Sequence, residues 1–453
     1  MHALTSFGVV IVLAVTLVVI ATFFSFALGS STVWAQQPKD TESALRRTRD
    51  RVLADLERMP RYTCVQTITR RYYRPRYESG SCARRIAAHE RRTGRPALLG
   101  WDRLRLEVAL VNGNPVYSWV AAPSFESDTL EEFAGRGPLI SGDFGGFLPT
   151  ILGGASITFE SEEHLGQRRV LAYSYDVPVK SSGYRVRSGG FWTPTAYRGT
   201  LRLDPATNDI VGLTVRTAEL PDDYPACQAI IEIEYQRTPI HGQPILVPRE
   251  TRLLTIDRSE GETEGLTTYA SCREYASTSR MIVDPVSNRS DAEGSAAVVA
   301  GPVATEVPAG LYFRARILTP IDSDTSAAGD PIEAVLLSDL RKDDLYLPAG
   351  AHLRGRLMLL EHRADQSDWF RLKIKFESID LNGVAMPLRA MPDDSVSRGI
   401  RVFRSLLAFG RDSQAPETAV FAFRQKHLHL EKFDWGWTTR PVPDPRWQRE
   451  TER

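Results

Sequence analysis

The chain lacks most of the short motifs by which a catalyst can be read from sequence alone. No G-x-S-x-G elbow occurs, and the nearest pieces, S-G-D-F-G-G from Ser141 and R-S-G-G-F from Arg187, lack its spacing. An exposed serine nucleophile of that kind is therefore excluded. The glycines of G-D-F-G-G-F-L-P-T-I-L-G-G, from Gly142, are followed by no lysine, so they form no phosphate-cradling loop and read as caps and turns. Cysteine is scarce, with four in 453 residues, and none of the spacings is C-x-x-C. No histidine stands at a ligand-like interval from them, which argues against a structural zinc site. His89-Glu90 opens a zinc-protease pair, but H-E-R-R-T carries no second histidine. Lysine is rare beside arginine, and the formal net charge is zero, so no overall field points to nucleic acid. No cofactor is expected.

One long apolar run is present, from Phe7 to Leu28, followed by small residues at Val33 to Ala35. This is the pattern of an export signal over residues 1–35 cut before Gln36. Two features point the other way: the residues before the run include no lysine or arginine, and residues 7–28 are long enough to span a bilayer. A retained membrane anchor is the alternative. Arg46, Arg47, Arg49 and Arg51 just after the run oppose the orientation such an anchor would need, which favours cleavage. Either way the remainder is expected in the periplasm or outside the cell. Cys64, Cys82, Cys227 and Cys272 fit that compartment, where four cysteines make two disulfides in one of three connectivities. Pairing within neighbouring strands favours Cys64–Cys82 and Cys227–Cys272.

From residue 36 to 280 the pattern is one helix followed by many strands. Asp40 or Thr41 can cap a helix in which Leu45, Val52, Leu56 and Met59 form one stripe and Pro60 ends it. From Tyr62 the apolar period changes to two, with Asn112-Gly113 as a hairpin turn, short helices near Phe125–Phe133 and Phe144–Leu152, then a regular strand series to Tyr275. The expected fold is mainly β: a curled antiparallel sheet, or half-barrel, with an N-terminal helix. Residues 281–306, rich in Pro, Ser, Ala, Gly and Asp, read as a linker.

Residues 307–453 read as a second, small β-barrel domain. Pro308-Ala309-Gly310 and Pro348-Ala349-Gly350 each open a strand with arginines two apart, Arg314 and Arg316 in one copy, Arg354 and Arg356 in the other. Each strand is followed by an acidic loop and a second strand. Two such units predict an internal hairpin duplication with the arginines facing out.

Three resemblances follow from these stretches. The run R-A-R-I-L-T-P-I-D-S-D from Arg314, L-P-A-G-A-H-L-R-G-R-L from Leu347 and E-S-I-D-L-N-G-V-A-M-P-L from Glu377 resemble the C-terminal barrel of TrbI/VirB10-type conjugation scaffold proteins. That resemblance covers about ninety residues and implies an assembly role for the barrel; the long Pro-rich segment that precedes it in that family is missing here. The order of elements in the first domain resembles LolA/RseB-type lipoprotein carriers and sensors, which implies an apolar concavity for acyl chains. Tyr62-Thr63-Cys64 after the first helix resembles a Y/F-T-C element of uncharacterised secreted bacterial proteins.

Four groups of residues are candidates for chemistry. Between Arg61 and Arg105 bases outnumber acids, and Arg70, Arg71, Arg74, Arg76, Arg84 and Arg85, with Tyr72, Tyr73 and Tyr77 interleaved, form a candidate patch for anionic lipid or another acidic envelope polymer. His427 and His429 would face one side of a strand, close enough to share a metal, with no third ligand identifiable. Asp322, Asp324 and Asp330 have the spacing of a calcium loop, but its sixth position is Ala327 and its twelfth is not Glu. Glu107, Glu160, Glu162 and Asp176 are the carboxylates that a fold-assembled hydrolase of envelope polymers would use. The expected function is non-enzymatic: an exported envelope protein that binds a lipid or lipoprotein, or docks a protein partner through its C-terminal barrel. That hydrolase and a purely structural scaffold are the alternatives.

Overall fold

The computed structural model describes residues 33–440, apart from 75–79, 95, 112–113, 128, 135–145, 189–190, 241, 259–260, 276–306, 344, 365–367, 382, 393–400 and 404–419. Residues 1–32 of the expected signal, the whole linker over 281–306, and Arg76 therefore lie outside the described residues. The chain is mainly β, with an N-terminal helix. Among the described residues no helix is long and apolar enough to cross a membrane.

Helix α1 runs Val33–Glu57, so it begins before the cap expected at Asp40 or Thr41. Thr41, Ala44, Thr48 and Val52 are its buried stripe, at helical spacing. Strand β1 is Tyr62–Arg74, helix α2 is Cys82–Arg91, and strands β2 and β3 are Ala97–Val111 and Asn114–Trp119. Val111 pairs with Asn114, as the Asn112-Gly113 hairpin predicts. Helix α3 is Phe147–Gly154. Strands β4 to β9 are Ser156–Leu165, Arg168–Val177, Arg185–Ser188, Phe191–Pro194, Tyr197–Asp204 and Asp209–Thr217. Strands β10, β11 and β12 are Ala226–Ile240, Gln243–Asp257 and Glu262–Glu274. Helix α2 was not expected. Its ten residues are arginine-rich, and its apolar residues are small apart from Ile86, so a helical stripe is hard to read from it.

Antiparallel pairing places these strands in the order β4-β5-β8-β9-β10-β11-β12-β1-β2-β3, with β6 and β7 a separate hairpin. On one face, α1 and α3 bring Val52, Phe147, Leu148, Ile151 and Leu152 against Leu201, Leu213, Val215, Ile231 and Ile233. Phe147 stacks on Tyr184 and meets Tyr197 edge-on, ring centroids 5.6 and 5.4 Å apart. Helix α2 packs behind β10 and β11, where Ile86 meets Ile256. Because Ile256 pairs with Gln228, it points away from the face carrying Ala229 and Ile231. The sheet is thus covered on both sides at β10 and β11.

The disulfides are Cys64–Cys272 and Cys82–Cys227, which corrects the pairing expected from sequence proximity. The reason is topological. Strand β12 returns to lie beside β1, and Cys64 faces Cys272 at a bulge between Thr63 and Val65. Helix α2 reaches across to the start of β10, so Cys82 finds Cys227. Both bridges close loops longer than a hundred residues, each of which contributes about 3–5 kcal/mol in the loop-entropy account.

The second unit contains β13 to β19: Tyr312–Ile317, Ile321–Asp322, Pro331–Leu336, Leu340–Lys342, Leu345–Leu347, His352–Arg363 and Trp369–Leu381. Strands β20 to β25 are Val384–Pro387, Ala390–Pro392, Arg401–Phe403, Val420–Arg424, His429–Leu430 and Phe433–Thr439. Strand β13 pairs with β15, β15 with β18, and β18 with β19. Residues 384–392 then pair with β19 through β20 and with β25 through β21, and β25 returns to β13. This circuit encloses Phe313, Leu353, Leu357, Phe370, Phe376, Phe421 and Trp437. The nineteen-stranded sheet as a whole, which also includes the strands of the first unit, is not closed into a barrel. Both Pro-Ala-Gly phrases are turns whose last residue has positive φ, +83° at Gly310 and +86° at Gly350, which glycine adopts without strain. Each leads into the first strand of an antiparallel pair, β13 with β15 and β18 with β19. Arg314 and Arg354 are exposed, and Arg316 pairs with Asp434. Arg356 departs from the expected outward alternation and is buried.

One buried carboxyl makes the first unit sensitive to pH. Burial raises Asp257 from 3.8 to about 6, against the hydrogen bonds it accepts from Thr255 and Thr263. The folded chain therefore holds this proton more tightly than the unfolded chain, and the associated stability, full below about pH 4, is lost as pH rises through 6. Asp257→Asn keeps a hydroxyl-accepting oxygen. It should remove this slope and add about 2 kcal/mol at neutral pH, read from urea unfolding at about pH 4 and about pH 7. An identical pH slope in variant and parent would contradict the assignment.

Candidate functional site

The basic segment does not form one patch. Arg70 is buried and donates Nε and Nη2 to the Asp102 carboxylate at 2.7 and 2.8 Å, which also accepts from the Tyr72 hydroxyl at 2.9 Å. Burial alone would lower the Arg70 guanidinium; Asp102 and Tyr72 beside it push it back above its usual value. Burial, and then the Asp102 charge, raises the Tyr72 phenol. Arg85 is also buried, with Nε donating to the Gly80 carbonyl. Arg71 lies 3.8 Å from Glu264. Arg74 and Arg84 remain exposed. His89 and Arg92, from the H-E-R-R-T stretch, clamp the buried Glu262, Arg92 by two bonds of 2.7 and 2.8 Å. These bonds fasten α2 to β12.

Arg103 and Arg105, two apart on β2, cross into the second unit. Arg103 Nη1 donates to the carbonyls of Ser323, Asp324 and Ser326 at 3.0, 2.8 and 3.3 Å, and its guanidinium lies over Trp101. Arg105 donates to Asp330 Oδ1 at 2.5 Å and to the Thr325 carbonyl at 2.7 Å. The backbones join as well. Ala328 N–H donates to Arg103 O at 2.9 Å, and Arg105 N–H to Ala328 O at 2.6 Å. Gly329 has φ +105°, and a Cβ there would lie 2.0 Å from Arg105 O. Arg356 reaches back from β18 to the carbonyls of Val120 and Gly329 at 2.7 and 2.6 Å.

Farther along β2, Gly100, Trp101 and Asp102 pair with Arg363, His362 and Glu361 of β18. A Cβ at Gly100 would lie 2.4 Å from His362 O, so only glycine admits this approach. Trp101 packs into the core of the second unit, while Ala328 is buried in the core of the first. Burial raises Glu361, and Asp102 nearby adds to it, while Arg371 and Arg363 pull it down. Burial, then Arg105 alongside, lowers Arg103. This seam joins the two units into one hydrogen-bonded body.

The loop held by Arg103 and Arg105 carries a second cluster on its other side. Ile321 and Asp322 pair with Leu430 and His429, so β14 and β24 form a two-residue ladder. Asp322 Oδ1 accepts the Asp324 N–H at 2.7 Å, which leaves Oδ2 free to face β24. His429 Nδ1 lies 2.8 Å from that Oδ2, and His427 Nε2 lies 3.5 Å from it. The His429 bond, then the Asp324 N–H, holds Asp322 below the usual carboxylate range, and Asp322 in turn raises His429. His427 Nδ1 is 3.0 Å from the Ser323 hydroxyl, which also accepts the Leu428 N–H at 3.2 Å. The two histidines meet at Asp322, but His427 sits in a bend before β24 and is held there by Ser323, so the shared strand face expected from their spacing is not what brings them together. The third group, Asp322, stands 107 residues from His429, and no local pattern links them.

The remaining carboxylates are dispersed. Glu107 accepts from Thr63 and Arg273, Glu160 from Ser174 and Glu162 from Arg169, while Asp176 is exposed on β5. Of the calcium-like trio, Asp330 is taken by Arg105. A shallow depression beside β3 is lined by Val116, Phe125, Glu126, Ser127 and Glu132. No known protein family, curated protein or solved structure matches this chain.

Gly329 is the most sensitive point of the seam. Gly329→Ala should destabilise the protein by about 3 kcal/mol, because the left-handed backbone and the Arg105 carbonyl both reject a side chain. Gly242→Ala, at a positive φ of +74° with open space around it, supplies the comparison and should cost about 1 kcal/mol. Equal losses in urea unfolding would show that the close approach at Gly329 carries no weight.

Proposed function

We propose that this is an exported cell-envelope protein that works without catalysis as an assembly module. In this reading the first unit is a rigid mount that presents the C-terminal β unit to a protein partner. The observation that carries it is the seam. Arginine-to-carbonyl bonds from half-buried Arg103 and Arg105 and buried Arg356, strand pairing and two obligatory glycines hold the second unit in one position, as a docking element requires and a tethered domain does not. The disulfides fit an oxidising compartment and stiffen the mount. The resemblance of the second unit to TrbI/VirB10-type barrels, which serve in assembly, points the same way. That unit exposes Tyr312, Tyr346 and Val384. Binding of lipid or lipoprotein by the first unit has less support, because the sheet face that bears the helices is filled by their own side chains. For an anionic polymer, Arg61, Arg74, Arg84 and Arg91 of the basic segment face solvent, and Arg71 is half exposed.

Photo-crosslinking residues placed at Tyr346 and Val384 in living cells should each give a discrete adduct with one protein, while placements at Leu165 and Trp192, exposed on the first unit, should not. Stoichiometric lipid on the purified protein, lost when Ile151 or Leu213 is made polar, would overturn the reading in favour of a carrier.

A further inference from the structure

We propose that Asp322, His427 and His429 bind one divalent first-row metal ion, with zinc as the reference ion. Their ligand atoms already lie within 4.8 Å of one another. Ligands around a tetrahedral zinc at about 2.0–2.1 Å are about 3.3 Å apart, so the 3.5 Å between His427 Nε2 and Asp322 Oδ2 needs almost no change. The 2.8 Å between His429 Nδ1 and Asp322 Oδ2 opens by about half an ångström as the ion takes the place of the bridging proton, which leaves to solvent. Two imidazoles and one carboxylate suit zinc, copper or nickel better than calcium or magnesium, which prefer all-oxygen sites.

The surroundings orient these ligands independently of any ion. Asp322 Oδ1 is occupied by the Asp324 N–H, so Oδ2 is the ligand atom. The Ser323 hydroxyl, on a residue 3% exposed, lies 3.0 Å from His427 Nδ1 and turns Nε2 towards the site. His429 Nδ1 already stands 2.8 Å from Asp322 Oδ2 and is its ligand atom, while Nε2 lies on the side of Glu431, 3.8 Å away. Such outer partners fix tautomer and ring orientation in histidine metal sites. Below them, the Asp322 N–H donates to the Ser326 hydroxyl and the Ser326 N–H to the Asp322 carbonyl, and the Ser323 and Ser326 carbonyls accept from Arg103. The ligand loop is thus braced by the first unit. His427 and His429 are half exposed, at 50% and 53% of the side chain, so the ion enters from solvent and keeps a coordination position for water or a partner's side chain. The site stands apart from the assembly reading, and either can fail without the other.

Equilibrium dialysis of the purified protein against zinc alone, followed by elemental analysis, tests the site. The parent should bind one zinc per chain. His427→Gln and His429→Gln, which keep a side-chain N–H for Ser323 and Asp322 but remove the imidazole, should each weaken binding at least about tenfold. Asp322→Asn should do the same. Cobalt as a probe should give a visible d–d band that is lost in the double histidine variant. Unfolding curves of the glutamine variants that match the metal-free parent separate loss of ligand from loss of fold. No zinc on the parent, or equal zinc on parent and double variant, would overturn the proposal.

Discussion

The structure depends on two arginines that leave one sheet to satisfy the backbone of another. Arg103 and Arg105 end in a loop whose carbonyls have no strand partners, and they supply the donors that the loop lacks. A guanidinium drawn partly out of water needs its N–H groups met, and a carbonyl shielded from water needs a donor. Each group here answers the other's requirement. The close approach this demands is met by Gly329 at one point and Gly100 at another, and Arg356 returns the same bond in the opposite direction. Because β2 pairs with β1 and β3 in the first sheet and with β18 of the second, strain or loosening at the seam is felt in both cores.

From this constraint the rest of the molecule can be ordered. In the first unit Cys64–Cys272 ties β1, the neighbour of seam strand β2, to β12, and Cys82–Cys227 ties α2 to β10, with Glu262 gripped by Arg92 and His89. Over β8 to β10 the sheet is filled by α1 and α3, which leaves no room there for an apolar guest. The loop of residues 321–330 then has two faces: one receives the arginines and the other sets Asp322 beside His427 and His429. Rigid support from one unit thereby aims a ligand cluster on the other.

Much of the fold was legible in the sequence because it rests on local periodicity. The stripe of α1, the alternation in β5 and β8 to β12, the Asn-Gly hairpin and the paired Pro-Ala-Gly turns all appear as patterns over a few residues. What escaped was set by contacts between distant segments. Cys64 finds Cys272 and not Cys82 because a meander brings its last strand beside its first. Arg70 read as part of a surface charge run and Arg103 and Arg105 carried no local signal of their role, since nothing local tells a solvated arginine from one whose acceptor lies 32 or more than two hundred residues away. Arg356 broke the outward alternation of its strand for the same reason. Two of the three members of the cluster, His427 and His429, were visible as H-L-H. Placing Asp322 beside them required knowing that β14 pairs with β24.

The central claim is that the seam makes the two units one cooperative body. Differential scanning calorimetry of the disulfide-intact protein tests this most directly, with Arg103→Ala/Arg105→Ala as the comparison. The account predicts a single transition in the parent, with van't Hoff and calorimetric enthalpies in agreement, and two separated transitions in the double variant. Two resolved transitions already present in the parent, unchanged by removal of both arginines, would contradict it.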